Sequence, residues 1–208
     1  MVSKENLSVT KRNGRGKEAL NIEKIHSMVG FATEGISGVS ASHVEMNSGI
    51  QFFDGINTED IQQILIKSAN DLISLESPNY QYVAARLLLF SLRKRLFHRL
   101  WEHPKFLDHI KSCVENGMYD KDILINYTEA EIDRLNGFID HERDYNFTYA
   151  GLRQVMDKYL VQDRSTGEIF ETPQFMYMMI AATLFAQYPK ESRLTYVKKY
   201  YDAVSKFK

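Results

Sequence analysis

Six side chains have the types and spacing to hold a polyphosphate. Lys11 and Arg12 stand in the run Val9-Thr10-Lys11-Arg12-Asn13-Gly14, followed by Glu18, Asn21 and Lys24 and, farther on, Thr58. A triphosphate carries several negative charges, which fixed cations and backbone donors must hold against water. Lys94 is a later cation of the same kind. Taken singly, lysines and arginines are mostly solvated surface residues, and from spacing alone that reading is the stronger one. Placement sets these apart: Lys11 and Arg12 lie at a glycine turn, and Thr58 lies at a helix start, while Glu18 and Asn21 are placed to meet sugar or base edges. The sequence contains neither a Gly-x4-Gly-Lys-Ser/Thr phosphate loop nor a Gly-x-Gly-x-x-Gly turn, so a nucleotide bound here uses another cradle.

Other reaction chemistry is thinner. The six histidines form no His-Glu-x-x-His or cysteine–histidine set, which argues against a metal site. Cys113 is the single cysteine, so neither an intramolecular disulfide nor a multi-thiolate site can form, and a cytoplasmic setting follows. The run Asp140-His141-Glu142-Arg143-Asp144 reads as a solvated connection rather than acid–base machinery. His98 and His103, on either side of Trp101, read as a helix end. Met176, Met178 and Met179 with Phe175 and Tyr177 read as core or subunit contact, and the tyrosines at 188, 196, 200 and 201 as packing on an amphipathic helix.

The elements that position these residues follow from periodicity. Alternation at 7–11, the Asn13-Gly14 turn and a short return at 18–20 predict a hairpin. Ile22, Ile25, Val29 and Ala32 recur at helical spacing, and a second helix is expected over 41–52. Thr58, with Glu59 and Asp60 behind it, reads as the N-cap of a helix that buries Ile61, Leu65 and Ala69. A long helix is expected over 79–100, then shorter ones over 106–116, 122–127 and 128–139. A helix over 149–159 leads into a second hairpin, 159–161 with 168–170, and helices over 173–187 and 191–207 follow. The fold class is mainly α, with a domain boundary expected near 101–104.

Of 208 residues, 44% are hydrophobic, enough for a core, and 26 basic against 27 acidic residues leave a net charge of −1. Nucleic-acid binders are usually strongly basic, so no nucleic-acid partner is expected. No apolar run approaches the roughly 20 residues that cross a bilayer, and residues 1–6 lack the apolar core of a signal peptide, so a soluble cytoplasmic protein without membrane partners is expected.

The sequence resembles the N-terminal part of the large (alpha) subunit of class I ribonucleoside-diphosphate reductase, of the enterobacterial and T-even-phage type. The resemblance is carried by Val9-Thr10-Lys11-Arg12-Asn13-Gly14, Asn21-Ile22-Glu23-Lys24-Ile25-His26, Asp54-Gly55-Ile56, Pro78-Asn79-Tyr80-Gln81-Tyr82-Val83-Ala84-Ala85-Arg86, Leu92-Arg93-Lys94, Tyr159-Leu160-Val161, Thr166-Gly167-Glu168-Ile169 and Tyr201-Asp202-Ala203-Val204-Ser205. It implies an ATP cone over residues 1–100, a hairpin plus about four helices that reads ATP against dATP, and over 101–208 a helical domain with one further hairpin that packs beside a catalytic barrel. Carried over, Lys11, Arg12 and Lys94 hold phosphates, Glu18, Asn21 and Lys24 form the helix-start wall, and Thr58 meets base or ribose. Leu20, Ile25, Phe52, Gln62 and Ser91 line the base and sugar pocket. The implied effector is ATP or dATP with Mg2+, and the implied partners are the rest of the large subunit and the small radical-bearing beta subunit.

The family's radical cysteine, reducing cysteine pair, and catalytic glutamate and asparagine are not in this sequence, so no catalysis by this chain alone is expected. That suggests either a trimmed chain or one piece of a subunit encoded in parts. Cys113 is expected to be a buried, idle thiol. Gln62 and Ser91 stand where enterobacterial relatives carry histidines, which implies weakened dATP discrimination. An alternative reading is a degenerate cone that serves as a structural docking module. A free-standing cone regulator with a zinc ribbon is excluded by the single cysteine.

Overall fold

A computed structural model describes residues 7–11, 16–49 and 51–207. It is mainly helical, with one small sheet, and divides into two compact units. The first contains the described residues up to Ser91 together with Phe147–Leu152; the second contains Leu92–Asn146 with the described residues from Arg153 on. The expected Asn13-Gly14 turn lies outside the described residues.

In the first unit, strand β1 (Ser8–Thr10) pairs antiparallel with β2 (Lys17–Ala19), Val9 facing Glu18. A third strand, β3 (Ile56–Asn57), runs parallel to β1 and gives the order β2-β1-β3. Sequence reading missed β3 because two residues carry no period; its pairing is fixed by contacts distant in sequence. The Asp54 carboxylate accepts from the Ser8 N–H at 2.7 Å and the Ser8 hydroxyl at 2.8 Å, and the Gly55 N–H donates to the Ser8 carbonyl at 2.8 Å. Gly55 takes φ of 80°, a left-handed backbone that glycine adopts without a Cβ clash.

Helix α1 (Ile22–Thr33) is capped by Asn21, whose side chain accepts from the Lys24 N–H at 3.0 Å. Ile25, Val29 and Ala32 are buried, whereas Ile22 is exposed at the outer edge of the stripe. Helix α2 (Ala41–Gly49) stops short of the expected Phe52, ending at a glycine, the weakest helix former after proline. Helix α3 (Thr58–Asp71) buries Ile61, Leu65 and Ala69. Its cap is Asn57, not Thr58: the Asn57 side chain accepts from the Glu59 N–H at 2.9 Å and Thr58 is the first helical residue. Helix α4 (Tyr80–Phe97) stops before the expected Leu100, at His98, whose φ of 57° breaks the helical backbone.

The second unit holds α5 (Phe106–Glu115), α6 (Asp122–Asn126), α7 (Glu129–Asn136), a 3-10 turn at His141–Asn146, α9 (Pro173–Leu184) and α10 (Lys190–Ser205); α8 (Tyr149–Lys158) crosses the division at Leu152. Phe106, Ile110, Phe175, Met178, Val197 and Tyr201 form the centre of its core. Thr128 and Glu131 close a capping box on α7, and Glu131 is gripped by Arg193 of α10 through both carboxylate oxygens at 2.6 Å. The expected second hairpin shrinks to one bridge, Gln162 with Ile169. The Val161 N–H donates to the Glu171 carboxylate at 2.7 Å instead of extending a ladder. The run 140–144 is not wholly solvated: Asp144 is 1% exposed and pairs with Arg93 at 3.5 Å. Cys113 is buried, and burial pushes its thiol up to about 12, an inert state.

Candidate nucleotide site

The sheet of the first unit sets two ends apart. Because β1 and β3 are parallel, Lys11, just past β1, and Thr58, just past β3, leave the sheet at one end. Because β1 and β2 are antiparallel, Leu7, Leu20 and the start of α1 lie at the other. At about 3.3 Å rise per residue, the four steps from Leu7 to Lys11 separate these ends by roughly 13 Å.

The first end is polar. Lys11 is exposed, and its Nζ lies 3.0 Å from the Glu18 Oε2, an ion pair open to solvent and therefore weakly held. The Thr10 hydroxyl donates to the Gly55 carbonyl at 3.1 Å and ties β1 to the turn that precedes β3. At the opposite end of β1, hydrogen bonds from Ser8 hold the exposed Asp54 carboxyl below its ordinary value. Arg12 lies outside the described residues.

At the second end is an apolar pocket of about 150 Å3, lined by Leu7, Leu20, Ile22, Ile25 and Phe52 and, at its polar edge, by His26, Glu45 and Ser48. His26 Nδ1 and Glu45 Oε1 lie 2.8 Å apart. The structure thus brings together Leu20, Ile25 and Phe52, three residues assigned to a base pocket from the sequence. Leu7 joins them, and the alternation of Leu7 and Val9 was the signal that would have found it. Neither Gln62 nor Ser91 lines this pocket. Gln62 is 2% exposed on α3, its amide 3.9 Å from the Met28 sulfur, and Ser91 is 1% exposed on α4, its hydroxyl without a hydrogen-bond partner among the described residues.

Asn21 spends its side-chain oxygen on capping α1, and Lys24 sits exposed in the first turn of that helix. Glu18 is exposed on β2 beside Lys11. Lys94 is exposed on α4, in the second unit. Among the described residues no three His, Cys, Asp or Glu side chains group as metal ligands, and no helix is long and apolar enough to cross a membrane.

Residues 7–95 match the ATP cone domain family, and residues 145–208 match the family described as ribonucleotide reductase, all-alpha domain. The chain is 52% identical over 204 residues to ribonucleoside-diphosphate reductase 1 subunit alpha of Escherichia coli K12, covering 98% of this chain and 26% of that protein. It is 50% identical over 204 residues to the alpha subunit of Haemophilus influenzae, covering 98% and 27%. To the alpha subunit of Enterobacteria phage T4 it is 43% identical over 201 residues, covering 96% and 26%. The chain spans about a quarter of the length of these relatives.

Proposed function

We propose, on the premise that this chain belongs to the ribonucleoside-diphosphate reductase alpha-subunit family and matches its N-terminal region, that its first unit binds ATP and dATP as effectors of deoxyribonucleotide synthesis. The observation that supports this is the two-ended sheet, with an apolar pocket at one end and Lys11 at the other, a separation comparable with the reach of an extended nucleoside triphosphate. Leu20, Ile25 and Phe52 take the base, Lys11 and Arg12 the phosphates with Mg2+, and Glu18, released from Lys11, a ribose hydroxyl. Asn21 and Lys24 shape the wall at the start of α1, and Thr58 meets base or ribose. In this reading residues 1–100 are the effector domain and 101–208 the helical domain beside the barrel. The remainder of the large subunit and the radical-bearing small subunit are its cytoplasmic partners.

The residues supply binding and coupling rather than bond-breaking chemistry. An effector shifts an equilibrium between active and inactive forms only as far as its affinities for the two differ, typically about 1–3 kcal/mol. Gln62 and Ser91 are assigned to discrimination at the sugar and base. Their burial away from the apolar pocket supports a site that holds both nucleotides with little preference, and so a muted dATP response.

Calorimetric titration of the chain with MgATP and MgdATP tests this. Saturable heats are expected, with affinities for the two nucleotides within about tenfold of each other, a 1.4 kcal/mol difference. Lys11→Ala removes a charge-assisted phosphate contact worth about 1.5–3 kcal/mol and is expected to weaken both by roughly tenfold or more at an unchanged thermal midpoint. Absence of heat with either nucleotide would overturn the effector reading and leave a degenerate cone acting in assembly. A dATP affinity a hundredfold above that for ATP would overturn the assignment of Gln62 and Ser91 alone.

A further inference from the structure

The chain passes between the two units at residues 91–92, 146–147 and 152–153. The first passage falls inside α4, so one helix begins in the first unit and ends in the second. Its last first-unit residue, Ser91, is buried with a hydroxyl that has no hydrogen-bond partner among the described residues. The second passage follows directly on the 3-10 turn His141–Asn146, and the third falls inside α8. Residues 147–152 are thus a short insertion into the first unit, and Phe147 and Leu152 at its two ends are buried. A helix moves as a stiff body, so a displacement of α4 in the first unit is delivered to the residues that follow Ser91.

Arg93 stands just after the first passage and holds the turn just before the second. Its guanidinium donates to the Tyr145 hydroxyl and the His141 carbonyl and lies 3.5 Å from the Asp144 carboxylate. From that turn Asp144 reaches Gln174 in the first turn of α9, while Arg143 donates to the Ser205 hydroxyl at 2.6 Å and pairs with Asp202 at 2.9 Å, both on α10. Arg93 and Asp144 are buried. A buried ion pair adds little net stability over an apolar pair of the same volume, and its best-attested use is to select one arrangement. Moving Arg93 leaves a carboxylate unpaired in the interior, so this clamp is either engaged or released. At the third passage, by contrast, Arg153 pairs with Asp157 of its own helix at 3.3 Å, with both side chains open to solvent.

We propose that the clamp of Arg93 on the 141–146 turn is the relay through which nucleotide occupancy of the first unit changes the order of the second. Occupancy displaces residues 80–91 and 147–152, Arg93 changes its grip on the turn, and Gln174 and Arg143 pass the change to α9 and α10. Arg93, Asp144 and Tyr145 are then positioning residues for regulation that never touch the nucleotide. This rests on the reading of the first unit as an effector site. Linkage makes the relay reciprocal: whatever factor the nucleotide exerts on the clamp, the clamp exerts on nucleotide affinity.

Hydrogen exchange of the 208-residue chain with and without saturating MgATP tests this. Exchange is expected to slow over α1 and, by about fivefold or more, over the 141–146 turn, the start of α9 and the end of α10, in the wild type and in Arg153→Ala alike. Arg93→Met combined with Asp144→Leu removes both charges and keeps the volume filled. That variant is expected to retain the slowing over α1, to lose it in the second unit, and to shift MgATP affinity by the same factor at an unchanged thermal midpoint. Tyr145→Phe, which removes one hydroxyl, is expected to lose part of the second-unit slowing and keeps the test decisive if the charge-free pair fails to fold. Slowing over α1 alone in the wild type, or second-unit slowing that survives in both clamp variants, overturns the relay and leaves the effector reading standing. Equal loss in Arg153→Ala overturns the assignment to the clamp. No slowing in either unit overturns the effector reading and the relay with it.

Discussion

Replacing Arg93 by alanine is expected to cost the second unit about 3–5 kcal/mol of folding stability, because it strands a buried carboxylate. Arg93 is 2% exposed at the second-unit end of α4. Its guanidinium donates to the Tyr145 hydroxyl at 2.9 Å and the His141 carbonyl at 2.8 Å, and stands 3.5 Å from the Asp144 carboxylate. Asp144 in turn accepts from the Gln174 amide at 2.8 Å, the Gln174 carbonyl oxygen accepts from the Tyr201 hydroxyl at 2.6 Å, and that hydroxyl accepts from the Asp140 N–H at 2.9 Å. One cation therefore neutralises a network joining α4, the 3-10 turn, α9 and α10. Burial already pushes Asp144 up to about 6 against the pull of Arg93. Without Arg93 its carboxyl rises farther and stays protonated, so the loss is expected to be larger at pH 8 than at pH 5. Adding Asp144→Asn to Arg93→Ala is expected to recover part of it, since the stranded charge is gone while Gln174 keeps a partner. The readout is the urea midpoint of the second unit. A loss under 1 kcal/mol at pH 8, or no recovery in the double variant, would show that the charge is not the stabilising element.

That network marks where sequence reading stopped. Periodicity located the described helices because each buries a stripe that repeats every three or four residues: Ile25, Val29 and Ala32 on α1, Ile61, Leu65 and Ala69 on α3, Ala84, Leu88 and Leu92 on α4. It placed α2 and α4 three residues too long, because apolar residues continue past Gly49 and His98 after the backbone has left the helix. It read Asp140 to Asp144 as solvated because a charge run looks the same whether its partner is water or an arginine about fifty residues away. β3 and the Gln162–Ile169 bridge were illegible in register for a related reason: pairing that rests on Asp54, Ser8 and Glu171 leaves no local pattern. Within the candidate site, Leu20, Ile25 and Phe52 came from resemblance rather than spacing, and the pocket they share with Leu7 needs the sheet to bring them together. Asn21 shows a limit of another kind, since a residue suited to touch a ligand is equally suited to cap a helix, and here its oxygen caps α1.

Glu171→Gln is expected to stabilise the second unit at pH 8 by about 2 kcal/mol and to change it little at pH 5. Glu171 is 1% exposed, and burial raises its carboxyl from 4.5 to about 7 although Tyr119 and Val161 donate to it. Folding thus favours its protonated form. That preference is fully present below the unfolded value of 4.5, is lost as pH rises to about 7, and above 7 leaves a carboxylate held in an apolar floor. A gap of about 2.5 units corresponds to an upper bound of about 3 kcal/mol, and the glutamine removes the charge while keeping an acceptor for one of the two donors. Histidines work in the opposite direction. Burial lowers His103 and His109 to about 4 and His141 to about 3, so the unfolded chain takes up their protons first and stability falls as pH drops from 6.5 toward those values. His109 touches the same cluster, its Nε2 3.2 Å from the Tyr119 hydroxyl and 3.7 Å from the Cys113 sulfur. Three histidines opposing Glu171 and Asp144 give the wild type a shallow maximum near neutrality, and the glutamine variant should rise more steeply between pH 4.5 and 6.5, where Glu171 no longer opposes the histidines, and extend that maximum to alkaline pH. Urea midpoints measured from pH 5 to pH 8.5 separate the two origins. Equal destabilisation across that range would mean that the side chain acts through its shape and hydrogen bonds, and that its charge contributes nothing to the pH dependence.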